Sequence, residues 1–179
     1  MNASGYVRAG GRIKMIAIAA VDSNWGIGYR GKLLATIPED MKSFRRTTLE
    51  KTVILGRKTL ETFPGKKPLP QRDNIILSRD RSFTVPGACM VHSVEEALSV
   101  TSDLDPGDVF VIGGESVYRA FLPHTDRAFI TKIDHRFEAD AFFPDLDADP
   151  GWKLSDPGEE RTSFDLAYHF TEYVRADRG

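Results

Sequence analysis

Apolar residues in this chain gather into short continuous runs set between polar, glycine-rich stretches. Runs of this kind, too short for helices and too uniform for one-sided strands, predict strands buried on both faces of a sheet. They fall at 15–21, 52–55, 74–77, 89–92, 108–112 and 128–133. Two further strands are predicted at 152–154 and 164–174. In the second of these Phe164, Leu166, Tyr168 and Phe170 alternate with polar or small residues, the mark of a strand with one buried face. Helical periodicity appears between the early strands. Pro38 suits the first position of a helix, with Thr36 or the adjoining backbone as its cap, and Ile37, Met41 and Phe44 recur at i, i+4 and i+7. A helical stretch runs from Arg57 through Phe63, Ser93-Val94-Glu95-Glu96 is a capping box for a helix over 94–100, and another helix runs from Glu115 to Leu122. Helices between the early strands and none between the last imply an α/β fold. It is expected to be a single domain with a central, mostly parallel eight-stranded sheet, an antiparallel C-terminal strand and helices on both faces.

The first fourteen residues carry no periodicity and are expected to be a disordered N-terminal extension, leaving 15–179 as the domain. With 179 residues the chain is long enough for one substantial core, and a formal charge of -2 gives no case for a nucleic-acid or membrane partner. The single cysteine, Cys89, rules out an internal disulfide and points to a reducing cytoplasm; it lies in the apolar run Cys89-Met90-Val91 and is read as a core residue. The histidines show no metal-ligand spacing, so no metal is expected, and no feature advertises an oligomeric interface, so a monomer is the default.

Candidate chemistry begins at Asp40. It falls on the apolar stripe of Ile37, Met41 and Phe44, where a carboxylate is costly unless a donor meets it. Either it is a buried acid that holds a polar ligand or manages a proton, or it lies at the rim of the stripe or bonds the first-turn N–H groups. Residues 22–32 hold Asn24, Gly26, Gly28 and Gly31 around Trp25 and Ile27, a loop that could close over a ligand or simply cross the surface. Two successive strands end in anion-binding chemistry: Gly56-Arg57-Lys58-Thr59 after the second, Ser78-Arg79 after the third. A further strand runs into Gly113-Gly114 and then a helix, which suits close approach to a diphosphate or a plain tight turn. It lacks the third glycine of the Rossmann pattern.

In order and spacing, these motifs together resemble the dihydrofolate reductase family. The set comprises Ile16-Ala17-Ile18-Ala19, Trp25-Gly26-Ile27-Gly28, the stretch Ile37 to Phe44, Val53 to Thr59, Pro68 to Arg79, Val111 to Tyr118 with Phe121-Leu122-Pro123, Thr131-Lys132-Ile133-Asp134 and Asp140 to Asp145. The resemblance implies NADPH-dependent reduction of 7,8-dihydrofolate to tetrahydrofolate in support of one-carbon metabolism, with antifolates as expected inhibitors. Asp40 corresponds to the family's acidic residue, accepting hydrogen bonds from the pterin 2-amino group and N3, with Thr131 bonded to the same carboxylate or the pterin. Ile16, Ala17, Met41, Phe44, Leu69 and Ile112 are implied around the substrate. Arg72 would pair with its α-carboxylate, and Lys67 would assist at the edge. Arg57, Lys58, Thr59, Ser78 and Arg79 are implied at the cofactor phosphates, their charge favouring NADPH over NADH, with His92 near the adenosine end. Ile18, Ile27 and Gly28 would meet the nicotinamide and its ribose. Gly113 and Gly114 match a pair joined by a cis peptide, and Glu115, Ser116, Val117 and Tyr118 follow it at the cofactor.

Three departures from the family pattern stand out. Leu34-Ala35 replaces a common Pro-Trp, Phe63-Pro64-Gly65-Lys66 is extra, and Glu115 stands where some members carry a third glycine. Two rivals remain: a riboflavin-pathway reductase domain of the same fold, against which Asp40 and Arg72 both argue, and a non-catalytic folate- or nucleotide-binding paralogue.

Overall fold

The computed structural model describes residues 15–176; the expectation for residues 1–14 lies outside them. Among the described residues twelve strands and four α-helices follow one another. The first half runs β1 (Met15–Val21), β2 (Gly26–Tyr29), β3 (Lys32–Leu33), α1 (Pro38–Thr48), β4 (Thr52–Gly56), α2 (Arg57–Leu60), β5 (Asp73–Leu77) and β6 (Ala88–Val91). The second runs α3 (Val94–Val100), β7 (Val109–Gly113), α4 (Glu115–Phe121), β8 (Thr125–Ile133), β9 (Ala141–Phe142), β10 (Trp152–Asp156), β11 (Arg161–Ser163) and β12 (Leu166–Arg175).

The main sheet has nine strands, in the order β10-β12-β8-β1-β7-β4-β5-β6, with β11 hydrogen-bonded to β12. The six from β8 to β6 are parallel, while β12 runs antiparallel to β8 and β10 antiparallel to β12. The eight predicted strands are therefore joined by a ninth, the short β11. Phe164 is not part of a strand: it lies in the β11–β12 turn with φ 52 and is 91% exposed, because the strand begins only at Leu166. The glycine-rich stretch 22–32, expected as a loop, contributes β2 and β3 to a separate three-stranded sheet with β9. Arg30 and Gly31, with φ 47 and 75, make its two-residue hairpin turn, where positive φ at both positions matches the strand twist.

Two core clusters cover the two faces. On one, Val94, Ala97 and Leu98 of α3 and Val117, Tyr118 and Phe121 of α4 pack with Ala17, Ile54, Val111 and Ile130. On the other, Leu60 of α2 and Phe63 pack with Ile16, Val53, Leu55, Ile76 and Phe110. Trp25 is drawn into the first cluster, 6% exposed, with its ring 6.0 Å from Phe143 and 5.7 Å from Tyr173. The loop is thus fastened at its start.

Some local expectations are corrected. Cys89 is exposed, because β6 is the edge strand and Cys89 points away from the face on which Ala88 and Met90 pack. The N-cap of α1 is Ile37 rather than Thr36, and it makes no side-chain cap; Pro38, which needs no N–H partner, opens the helix. The helix after β4 stops at Leu60 and is followed by a 3-10 turn over Pro64–Lys66. In the capping box Ser93 accepts from the Glu96 N–H at 3.1 Å, but Glu96 reaches back to the His92 N–H at 2.8 Å.

Candidate active site

Parallel strands leave their carboxyl ends on one edge of a sheet, and in open α/β folds ligands bind there. Here Gly56, Leu77 and Val91 are in register across β4, β5 and β6, so the residues that follow them, Arg57, Ser78 and His92, form a row along that edge. Gly113, paired with Leu55, brings Gly114 to the same edge, and the Gly113-Gly114 peptide is cis. A Cβ on Gly114 would lie 3.4 Å from the Thr59 hydroxyl, and one on Gly56 would lie 3.1 Å from Val117. These close approaches hold β4, β7, α2 and α4 together. Ser78 is buried, its carbonyl 2.8 Å from His92 Nδ1 and its hydroxyl accepting the Asp80 N–H at 3.2 Å. Arg57 lies 3.9 Å above the Phe83 ring and within 3.6 Å of Asp80, which orients its guanidinium along the edge. Lys58 and Arg79 are exposed beside it.

A cavity of about 1150 Å³ opens next to this row, between α1 and the sheet. Asp40, in the first turn of α1, faces into it. Thr131 of β8, 6% exposed, donates its hydroxyl to Asp40 Oδ1 at 2.6 Å, which leaves Oδ2 for a ligand's N–H. Burial raises the Asp40 pKa above its usual value, and the Thr131 hydrogen bond pulls it partly back. The Tyr118 hydroxyl donates to the Ile18 carbonyl at 2.6 Å; burial, and the charge of Asp40, push its pKa up. Ile18, Ile27, Met41, Phe44, Lys58, Thr59 and Ile112 also line this cavity. Met41 is 45% exposed at its mouth rather than packed on a stripe, because the space that α1 overhangs is open.

Other sequence-derived candidates lie outside the cavity wall. Ile16 and Ala17 are 4% and 2% exposed in the two core clusters, directly before Ile18. Leu69 packs on the cluster that also holds Ile18, Ile112 and Phe129, so it shares the face of the cleft. Arg72 is half-buried, and its Nε is buried with no hydrogen-bond partner. Burial, then the nearby Arg45 charge, lowers the Arg72 pKa, the environment of a cation that lacks an anion. Lys67 is exposed beside this stretch. Gly28 is half-buried in β2, its carbonyl accepting the Asp140 N–H at 3.0 Å. In α4 Ser116 is exposed, whereas Val117 is buried in the core. Glu115 turns to the small sheet, accepting the Phe142 N–H at 2.8 Å.

Two organising residues escaped the sequence reading. Asp22, 1% exposed, accepts the N–H groups of Asn24 at 2.9 Å and Gly26 at 2.7 Å on Oδ1, and that of Phe137 at 2.9 Å on Oδ2. It fixes the start of the loop whose Gly26 and Ile27 line the cavity. Asn74, 3% exposed, bonds the N–H and carbonyl of Leu69 and the carbonyl of Arg72, and so shapes the segment that presents Arg72. An aspartate after a strand and an asparagine at the head of one are ordinary in sequence; only their depth marks them.

The bond at Glu115 sets a measurable expectation. Glu115→Gly should lower stability by about 1 kcal/mol, the worth of one hydrogen bond. NADPH affinity should change little, since the carboxylate is engaged away from the glycine pair. Denaturant midpoints and a fluorescence titration check both; a sharp gain in NADPH affinity would place the acid at the diphosphate.

Comparison with known proteins agrees with this geometry. The dihydrofolate reductase family model matches residues 14–175. Dihydrofolate reductase of Staphylococcus haemolyticus is 34% identical over 166 residues, 91% of this chain and 98% of that protein. Dihydrofolate reductase of Neisseria gonorrhoeae is 37% identical over 163 residues, 90% and 98% of the two chains. The solved structure of Enterococcus faecalis dihydrofolate reductase complexed with NADP(H) and RAB-propyl superposes with a TM-score of 0.81 at 33% identity, covering 93% of this chain and 98% of that one. With the acid, the glycine pair and the strand-end cations all in place, the chain belongs to the dihydrofolate reductase family of NADPH-dependent oxidoreductases.

Proposed function

We propose that this protein reduces 7,8-dihydrofolate to 5,6,7,8-tetrahydrofolate, with hydride delivered to pterin C6 and a proton to N5. The observation that carries this reading is Asp40: a carboxylate raised in pKa by burial, held by Thr131, on the wall of a cleft that adjoins the cofactor edge. The donor set fits NADPH. Arg57, Lys58 and Arg79 supply positive charge for phosphates, Ser78 and Thr59 supply hydroxyls, and Gly113-Gly114 leaves the backbone free of side chains. When bound, NADPH supplies the hydride.

The chain's own residues do the rest. Asp40 accepts the 2-amino and N3 hydrogens of the pterin and so fixes the face it presents. Ligand N–H groups favour the charged carboxylate where burial favours the neutral acid, so the proton affinity of Asp40 changes as substrate enters. A water in the cleft then relays the proton to N5, since Asp40 is committed to the opposite edge of the ring. Ile18, Ile27 and Ile112 make the reacting region apolar, and Tyr118 holds the strand that carries Ile18. The orphaned Nε of Arg72 meets the substrate's α-carboxylate.

The direct test is loss of NADPH absorbance on adding dihydrofolate. Tight binding of both ligands without oxidation would leave a binding module, and no folate binding would indicate a different substrate. Arg72→Leu should raise the dihydrofolate KM by about 10–100-fold, as expected for a charge-assisted pair worth about 1.5–3 kcal/mol. It should barely affect a pterin that lacks the glutamate tail. Equal KM effects on both substrates would remove Arg72 from the tail site.

A further inference from the structure

Strand β8 acts on both faces of the sheet. Successive strand residues point to opposite sides, so where Thr131 reaches the cavity and donates to Asp40, Lys132 emerges on the far side. There its ammonium donates to Asp147 Oδ2 at 2.7 Å and to the Tyr173 hydroxyl at 3.1 Å, and that hydroxyl donates to Asp147 Oδ1 at 2.7 Å. The three groups close a ring of hydrogen bonds. Lys132 Nζ also stands 5.0 Å from the centre of the Trp25 ring, which meets the Tyr173 ring edge-on at 5.7 Å. Asp147 and Tyr173 thus fix a cation that would otherwise swing on a flexible stem, and they fix it against the indole.

Trp25 needs such a hold. Its φ is 60, in the left-handed region that bulky residues seldom occupy, so strain in the backbone favours release of the loop unless the ring is held. What Trp25 controls lies two residues on. Ile27 lines the cavity, and Gly26 between them admits no side chain, because a Cβ would lie 2.8 Å from Ala139. The Trp25 carbonyl accepts the Phe143 N–H at 2.8 Å, the Phe143 ring lies 4.7 Å from that of Tyr118, and Tyr118 holds Ile18 by its carbonyl. A shift of the indole is therefore passed to Ile18 and Ile27, two of the residues that make the reacting region apolar. A half-exposed lysine–aspartate pair contributes little by itself. This one carries a phenol and an indole with it.

We propose that Lys132 is a positioning residue for hydride transfer: clamped by Asp147 and Tyr173, it holds the Trp25 ring and through it sets Ile18 and Ile27 around the reacting atoms. It touches neither substrate nor cofactor. The proposal rests on the folate-reduction reading for the step that is tuned, whereas the clamp on Trp25 stands or falls separately.

Lys132→Met keeps the apolar stem and removes the charge; Lys132→Arg keeps the charge. Trp152→Phe leaves Trp25 as the sole tryptophan and costs no hydrogen bond, because Trp152 Nε1 has no partner among the described residues. In that background two quantities are read: acrylamide quenching of Trp25 fluorescence, and loss of NADPH absorbance in a single turnover with dihydrofolate. Lys132→Met should expose Trp25 to acrylamide and slow hydride transfer about tenfold, equivalent to about 1.4 kcal/mol in the barrier. The dihydrofolate Kd should change little, and Lys132→Arg should keep most of the wild-type value in both readings. A merely structural lysine would lower the unfolding midpoint and leave both readings unchanged, and that result overturns the proposal. So does slowed hydride transfer with unchanged quenching, increased quenching with unchanged hydride transfer, or an Arg variant as impaired as Met. Should Lys132→Met fail to fold, Asp147→Asn, at a half-exposed position in the same ring of hydrogen bonds, is judged by the same criteria. Should wild type itself fail to turn over, the folate-reduction reading is at fault, and Trp25 quenching alone decides the clamp: increased in Lys132→Met it supports the clamp, unchanged it overturns it.

Discussion

Asp40→Asn should lower dihydrofolate turnover by about 10²–10³-fold, the range lost when one preorganised electrostatic partner of the reacting group is removed. NADPH affinity should stay nearly unchanged, because Arg57 and Arg79, the cations proposed to meet the cofactor phosphates, follow β4 and β5 and are not on α1. The substitution is close to isosteric, and an Asn carbonyl oxygen can still accept the Thr131 hydroxyl that now bonds Oδ1 at 2.6 Å. What is lost is the negative oxygen proposed to accept the pterin's N–H groups. Stability should move the other way. Burial raises the folded-state pKa of Asp40 above 3.8, so ionising it costs more in the folded protein than in the unfolded chain. That penalty is absent below the unfolded pKa and is fully developed once the pH has risen through the folded pKa. Asp40→Asn should therefore be more stable than wild type at neutral pH, with the difference vanishing in acid. About 1 kcal/mol moves the Tm of a domain this size by about 2–4 °C, so calorimetry across pH resolves it. Unchanged turnover in the Asn variant would dispose of the catalytic role; a stability gain that persisted in acid would show that packing, not charge, is responsible.

Much of this site is legible along the chain because its parts sit at strand ends. Gly56-Arg57, Ser78-Arg79 and Gly113-Gly114 follow apolar runs, and a parallel sheet turns three such endings into one edge. The pairing of Asp40 with Thr131 is another matter: 91 residues separate them, and only the family resemblance joined the two before the fold did. Long-range pairing also explains the small sheet. Gly26 and Gly28 read as loop residues because their partners, Phe142 and Ala141, lie far downstream. Cys89 illustrates the limit of apolar runs, since the same run serves a central strand or an edge strand and only the edge exposes one face. Met41 shows a related limit: helical periodicity predicts an inner face, but an inner face that borders a cleft stays partly exposed.

Asp22 marks where sequence is least informative and structure most so. Asp22→Ala should destabilise the protein by about 3 kcal/mol, because removing one acceptor strands buried donors at about 1–3 kcal/mol each. Three N–H groups depend on it, and the nearest, that of Gly26, is bonded at 2.7 Å in a buried setting. Those donors belong to two segments far apart in sequence, the loop after β1 and the stretch after β8, so the carboxylate ties one to the other. Water can replace part of the bond to Asn24, which is exposed, but the close packing at Gly26, where a Cβ would lie 2.8 Å from Ala139, leaves no room for it. The expected loss corresponds to about 6–12 °C in Tm at about 2–4 °C per kcal/mol. Function should suffer with stability, because Gly26 and Ile27 form part of the cleft wall. The NADPH Kd should rise, and trypsin should cut faster after Arg30 at the β2–β3 turn. Asp22→Asn separates geometry from charge: its oxygen can keep the Asn24 and Gly26 bonds, while its NH₂ group would face the Phe137 N–H. It should therefore fall between wild type and Ala in both unfolding midpoint and tryptic rate. An Ala variant with the wild-type midpoint and tryptic rate would mean that other contacts, foremost the buried Trp25 ring, hold the loop without the carboxylate.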